Sequence, residues 1–201
     1  MPYTDKLQDA VALALELHQG QTRKGTGKVP YVTHLFAVAS LVGEHGGGEA
    51  EVIAALLHDG PEDQGGQATL DRVRNEFGEV VADIVAGCTD TLEDPKPPWR
   101  PRKQAFIDQM EHQTRSVHLV SCADKLHNAR CTLTDIREEG PDVWKQFSGQ
   151  RDDTLWYYKS LIAVYDRHFD SPLVRALAEV VHDLEAEAEW RVLRHKQELR
   201  K

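Results

Sequence analysis

The stretch 52–63, Val-Ile-Ala-Ala-Leu-Leu-His58-Asp59-Gly-Pro-Glu62-Asp63, limits what this chain can fold into more than any other. Its apolar run from Val52 to Leu57 predicts a helix buried on nearly all sides. The last turn of that helix then sets His58 and Asp59 against an apolar background. Gly60-Pro61 is expected to stop it, because proline lacks an N–H and pushes its predecessor out of the α region. Two further carboxylates, Glu62 and Asp63, follow at once. Buried ionised groups are costly unless they are paired or bind a metal. Two readings result: a capped helix end laced with ion pairs, or a metal site with carboxylates beside it.

Size and charge narrow the class. The chain has 201 residues, enough for one domain with a sizeable core, alone or with a helical appendage. A formal net charge of −9 argues against general nucleic-acid binding, which favours basic faces. A small polyanionic ligand remains open if the basic residues are concentrated locally. Cys88, Cys122 and Cys131 are odd in number and lack Cys-x-x-Cys spacing, so a disulfide framework is not expected and a reducing cytoplasm fits. No apolar run approaches the roughly 18 residues of a membrane span. Met1-Pro-Tyr-Thr-Asp-Lys6 lacks the basic and apolar regions of a signal peptide. The expectation is a soluble cytoplasmic protein.

Periodicity predicts an all-α chain. Thr4 or Asp5 can cap a first helix with Leu7, Val11, Ala14, Leu15 and Leu17 at helical spacing, ended by Gly20. Gln21 to Tyr31 is basic and glycine-containing and reads as a loop, either a solvated connector or a segment that lets cations approach a phosphate. A second helix from about Thr33 to Leu41 takes Leu35, Phe36, Val38, Ala39, Leu41 and Val42 inward, with His34 in its first turn. Beyond the central helix, Gln64 to Gln67 reads as loop and Thr69 as the start of a short helix closed at Gly78. Residues 79–92 form the next, with Val80, Val81, Ile84 and Val85 inward. The proline-rich segment 93–101 is expected as an exposed loop leading into Arg102 and Lys103, followed by helices over about 102–112 and 116–138. Gly140-Pro141 breaks the chain before short and long helices near 142–147 and 151–168. Ser171-Pro172 opens the last helix, increasingly charged towards Lys201. The division expected is a domain over 1–170 and a charged C-terminal helix over 171–201.

Asp124 is the second anomaly, placed after Val-His-Leu-Val-Ser-Cys-Ala on a helix that must be largely buried. Asn128 lies four residues on and shares its face. A single buried aspartate reads first as a hydrogen-bonded structural group. Taken with His34, His58 and Asp59, it makes two imidazoles and two carboxylates, a donor set that suits a borderline divalent ion. Spacing alone leaves this open.

Four ordered blocks carry a resemblance. His18-x-Gly-Gln-x-Arg23-Lys24, Pro30-Tyr31-x-x-His34, Ala55-Leu-Leu-His58-Asp59-x-x-Glu62-Asp63 and Ala123-Asp124-Lys-Leu-His-Asn128-x-Arg130 resemble the hydrolase domain of the RelA/SpoT alarmone enzymes, within the HD phosphohydrolase superfamily. The likeness covers about residues 5–165. At this length the resemblance is to a free-standing small alarmone hydrolase, with no synthetase domain. It implies an HD-domain helical bundle and a Mn²⁺-dependent hydrolase, another divalent metal being possible. The reaction implied removes the 3′-pyrophosphate of (p)ppGpp to give GDP or GTP. Carried over by position, His34, His58, Asp59 and Asp124 would hold the metal. Glu62 and Asp63 match the catalytic pair that orients or deprotonates the attacking water. Arg23 and Lys24 match basic residues of the nucleotide pocket, which turns their loop from connector to functional segment. Asn128 and Arg130 match residues that contact the nucleotide and support the metal-binding helix.

Other candidates rest on composition. Arg102 and Lys103 are candidate phosphate contacts, and Arg151 with Trp156-Tyr157-Tyr158 are candidates to border the pocket, although three such aromatics read first as core. His18 and His127 read as a helix-end cap and a packed or supporting residue. Gly60-Pro61, Gln64 and Cys131 depart from the family's usual residues. None removes a ligand or a catalytic carboxylate, but Cys131 leaves base preference open between guanosine and adenosine alarmones such as (p)ppApp. The partner expected is a small nucleotide, with neither nucleic acid nor membrane, in a monomer or homodimer. Two other readings are an HD phosphohydrolase on another nucleotide and a silent sensor that binds alarmone without cleaving it.

Overall fold

The computed structural model describes residues 3–24 and 28–198, with side chains up to residue 187. Met1-Pro2, the centre of the basic glycine loop at 25–27, and the end of the charged tail lie outside the described residues. Among the described residues the fold is all-α, with one isolated bridge between Thr22 and Pro30. No helix there is long and apolar enough to cross a membrane.

The apolar run forms helix α3, Glu49–Leu57, and every residue from Val52 to Leu57 is buried. It touches α1 (Asp5–Leu17), α2 (Val32–Glu44), α6 (Glu79–Cys88) and α8 (Arg115–Glu139), so no face is left for solvent. Two acidic residues tie down its N-terminus. Glu51 accepts from the Gly48 N–H at 3.0 Å and from Ser116 Oγ at 2.8 Å, while Glu49 accepts from Thr4 Oγ1 at 2.8 Å. Carboxylates at this end also suit the helix dipole.

Gly60-Pro61 ends α3 but does not end helical structure. A four-residue helix, α4 (Gly60–Asp63), begins there at once with proline in its first turn, where a missing N–H costs nothing. Glu62 and Asp63 therefore ride on a short helix rather than a loop. The next helix, α5 (Gly66–Phe77), starts three residues before Thr69. Gly65 at φ 93° supplies the left-handed turn between them, a conformation open to glycine at little cost.

Several boundaries and facings differ from the sequence reading. Helix α6 stops at Cys88, where the Thr89 hydroxyl turns back to the Val85 carbonyl at 2.9 Å. Val80 is 65% exposed, since neighbours on a helix sit about 100° apart and Val81 takes the inward position. Phe36 is likewise exposed on α2. Helix α7 runs Trp99–Met110 and begins inside the proline-rich segment. Pro98 is its N-cap and Pro101 its third residue, positions whose N–H groups have no helical partner.

The longest buried surface belongs to α8, with thirteen buried residues including Leu119, Val120, Leu126 and Ile136. A 3₁₀ turn (Pro141–Gln146) and α9 (Gln150–His168) fold back across it, Tyr157 and Tyr158 both buried. Helix α10, Pro172–Glu198, packs on α8 and α9 through Leu173, Val174, Leu177, Val181 and Leu184. Its first half is thus continuous with the core. Leu177 is fully buried, so Leu177→Ala should lower the unfolding free energy by about 2–5 kcal/mol. Urea unfolding measures this, and a change under about 0.5 kcal/mol, the range of surface substitutions, would make α10 a mere appendage.

Candidate active site

Four helices bring the histidines and aspartates together. His34 stands in the first turn of α2, His58 caps the C-terminus of α3, Asp59 begins α4, and Asp124 sits mid-way along α8. His34 Nε2 lies 3.2 Å from Asp124 Oδ1 and 3.4 Å from Asp59 Oδ2. His58 Nε2 lies 3.1 Å from Asp59 Oδ2 and 3.7 Å from Asp124 Oδ1. One ligand atom each from His34, His58 and Asp59 falls within 4.8 Å of the others.

Both imidazoles are buried, and neither Nε2 makes a well-formed hydrogen bond. The other nitrogens are committed. His58 Nδ1 is 2.8 Å from the Ala55 carbonyl, which can only accept, so Nδ1 carries a proton and Nε2 is the nitrogen turned to the carboxylates. Facing carboxylate oxygens, Nε2 calls for positive charge, either its own proton or a cation between them. Burial works against charge on His58, yet Asp59 and Asp124 outweigh it and hold the imidazole well above its ordinary value. Burial likewise pushes the Asp59 and Asp124 carboxyls up, and it is outweighed by His58 at Asp59 and by Lys125 at Asp124, leaving both well below the usual range. The cluster recruits positive charge. Two imidazole nitrogens with two carboxylates fit a divalent metal ion in that place.

Neighbouring groups hold these four in position. Tyr31 Oη donates to Asp59 Oδ2 at 2.6 Å. Lys125 Nζ and Asn128 Nδ2 each donate to Asp124 at 2.5 Å. His127 Nδ1 lies 2.8 Å from His34 Nδ1.

The Glu62–Asp63 pair stands beside the cluster. Glu62 meets Lys96 Nζ at 2.9 Å, Arg102 Nη1 at 3.7 Å and the Asp90 N–H at 3.4 Å. Asp63 accepts from Gln21 Nε2 at 2.9 Å. That amide is itself fixed, because Gln21 Oε1 accepts from Gln64 Nε2 at 2.8 Å and pairs with His18 Nδ1 at 2.7 Å. His18 stacks on Tyr31 with ring centroids 5.0 Å apart. Asp90, its side chain 4% exposed, accepts from both Arg102 and Lys103, the latter at 2.6 Å. One buried carboxylate therefore aims two cations towards Glu62.

Glu62 and Asp63 line a cleft of about 1070 Å³, and the His/Asp cluster lies behind its wall, touching the lining residues Tyr31, Lys125, His127 and Asn128. Arg23, Lys24, Lys96, Arg102, Lys103 and Lys125 line it, so the basic residues of an acidic chain are concentrated locally. Arg23 also donates to Asn128 Oδ1 at 2.7 Å, linking the basic loop to α8. Tyr157 and Tyr158 are buried and still form part of the wall, so the two readings of those aromatics hold together. Cys131, Thr132 and Phe147 lie further along, and Asp135 and Glu138 make an acidic far end.

Two sequence candidates stand apart. Arg130 is exposed on α8 and does not line the cleft. Arg151 pairs with Asp152 and borders a separate shallow groove with Trp156 and Lys159. Conversely, Gln21, Tyr31, Asp90, Lys96 and Lys125 were not singled out from sequence. Gln21 and Tyr31 lay inside the quoted blocks and could have been. Asp90 and Lys96 lie in segments whose composition carries no such signal.

Comparison with known proteins places the chain in a family. The HD domain family matches residues 10–155. The guanosine-3′,5′-bis(diphosphate) 3′-pyrophosphohydrolase MESH1 of Xenopus tropicalis is 34% identical over 140 residues, covering 69% of this chain and 73% of that protein. The Danio rerio protein of the same name is 36% identical over 143 residues, covering 70% and 74%. Among solved structures, a metazoan orthologue of SpoT described as hydrolysing ppGpp superposes with a TM-score of 0.76 at 26% identity, over 90% of this chain and 97% of that one. The protein lmo0812 of Listeria monocytogenes superposes with a TM-score of 0.66 at 29% identity, over 74% and 96%. This chain belongs to the HD domain family, in the group of the metazoan SpoT homologues.

Proposed function

We propose that this chain is a Mn²⁺-dependent 3′-pyrophosphohydrolase that converts (p)ppGpp to GDP or GTP and pyrophosphate. One observation carries the reading: a carboxylate pair and six cations line one cleft, and the wall residues Tyr31, Lys125, His127 and Asn128 of that cleft bond directly to the four-residue His/Asp cluster behind it. In this reading His34, His58, Asp59 and Asp124 hold the metal. The cation, when bound, would neutralise charge on a phosphoryl oxygen and acidify water beside it.

The remaining work falls to the chain's own residues. Lys96, Arg102 and Lys103 bind the pyrophosphate, their positive charge gathered by Glu62 and Asp90 before substrate arrives. Arg23, Lys24 and Asn128 hold the nucleotide. Glu62 and Asp63 orient the attacking water and accept its proton, with Gln21 fixing the aim of Asp63. The water oxygen bonds to the phosphorus next to the ribose 3′-oxygen. That P–O bond breaks, the 3′-oxygen leaves and gains a proton, and pyrophosphate carries away the water oxygen. Generic HD phosphohydrolases need neither the Arg23-Lys24 loop nor this carboxylate pair, which favours an alarmone over other nucleotides. Cys131 in the cleft wall keeps (p)ppApp as a second substrate reading.

The assay that tests this is pyrophosphate release from ppGpp and ppApp, side by side, with Mn²⁺ and with chelator. Metal-dependent release is expected, and the ratio of the two rates gives base preference. Alarmone binding without release would instead identify a sensor. The Glu62→Gln/Asp63→Asn double variant should keep its metal and lose at least ~10²-fold in turnover. Full activity in that variant would sink the proposed role of the pair. Mn²⁺ at about 100 times its Kd should add about 2.7 kcal/mol to the stability of the wild type, read as a raised Tm. Asp59→Ala should show no such rise, and an unchanged Mn²⁺ response there would remove Asp59 from the ligand set.

A further inference from the structure

The two ligand histidines are oriented by partners of different kinds. His58 Nδ1 faces the Ala55 carbonyl, an acceptor under all conditions, so in the neutral ring the proton sits on Nδ1 and Nε2 is the ligating nitrogen. His34 Nδ1 faces another imidazole nitrogen, His127 Nδ1, at 2.8 Å, with the rings tilted at 50°. This contact can be satisfied in two ways. If His127 donates, His34 Nδ1 accepts and the His34 proton moves to Nε2, which then cannot bind a metal. If His127 accepts, His34 Nδ1 keeps its proton and Nε2 is free. His34 Nε2 is buried 3.2 Å from Asp124 and 3.4 Å from Asp59, oxygens that favour a proton on Nε2 until a cation replaces it, so a metal can enter only where His34 Nδ1 can take the proton and find an acceptor.

We infer that His127 is a positioning residue: its Nδ1 accepts from His34 Nδ1–H and so fixes the tautomer of His34 that can ligate a metal. The inference rests on the metal-ligand reading of His34 given above. Its proton balance closes locally. With Nδ1 accepting, the His127 proton sits on Nε2, 3.8 Å from Cys131 Sγ, a weak acceptor. Helix α8 then supplies both a ligand, Asp124, and the group that orients a ligand on α2, His127, one helical turn apart. Partners of this kind commonly govern metal affinity about as strongly as 10–100-fold.

The test is Mn²⁺ binding to the full chain without nucleotide, followed by the electron paramagnetic resonance signal of free Mn²⁺. His127→Phe keeps a ring of similar size but has no nitrogen, and should raise the Kd for Mn²⁺ by ~10–100-fold. His127→Asn places Oδ1 where Nδ1 lies and should stay within a few-fold of wild type. Circular dichroism in chelator should be the same for all three. If His127→Phe does not fold, His127→Leu carries the same expectation. Wild-type affinity in the Phe or Leu variant would overturn the inference, as would equal weakening in the Asn variant, which would make the residue a packing element only. Failure of the wild type itself to bind Mn²⁺ would take down the metal reading, and this inference with it.

Discussion

Two carboxylates and two imidazoles converge at the end of an apolar helix, and their mutual charge cannot be left unbalanced there. Asp59 and Asp124 lie within 3.7 Å of both His34 and His58, in a place where water is largely excluded. In such surroundings an uncompensated charge costs several kcal/mol, whereas a cation at the centre offsets all four groups together. The fold is organised so that none of the four can withdraw. The core around Val52–Leu57 fixes the origin of His58, and the tethers on Glu49 and Glu51 fix the far end of the same helix.

Charge is then divided between the cleft and the cluster behind its wall. Around Asp59 and Asp124 the negative groups draw in positive charge. Around Glu62 the balance runs the other way, with Lys96, Arg102 and Lys103 brought in partly by Asp90. These cations are gathered during folding, so an anion in the cleft would meet charge already in place. An overall charge of −9 conceals this entirely.

The sequence showed some of this plainly and could not show the rest. The apolar run with its charged end, the buried position of Asp124 and the all-α class were legible because burial and helical period are local properties. Gly60-Pro61 was read as a stop, and it is one, but proline is equally suited to starting a helix, and pattern alone does not choose. Val80 and Phe36 were assigned inward because apolar residues outnumbered inward positions on their helices. Arg130 and Arg151 matched a motif and a composition, yet their side chains leave the helices on faces turned from the cleft. Lys96 meets Glu62 across 34 residues, and Gln21 meets Asp63 across 42. Contacts of that range belong to the packing of helices, not to any window of sequence.

Helix α8 shows why the parts act as one site. Asp124, Asn128, Cys131 and Asp135 follow one another at helical spacing, and all but Asp124 line the cleft. At 1.5 Å per residue, Asp124 and Asp135 are about 16 Å apart along a single rigid axis. Asp124 of the buried cluster, the Arg23 contact at Asn128 and the acidic far end are therefore marks on one ruler. The Glu62–Asp63 pair comes from α4, and Lys96, Arg102 and Lys103 come from the start of α7 and the loop before it. The walls of the cleft are thus set by the ruler and these two side elements together. The fully buried residues of α8, from Leu119 to Ile136, then have a second consequence beyond stability: they fix the spacing of the polar groups along the cleft.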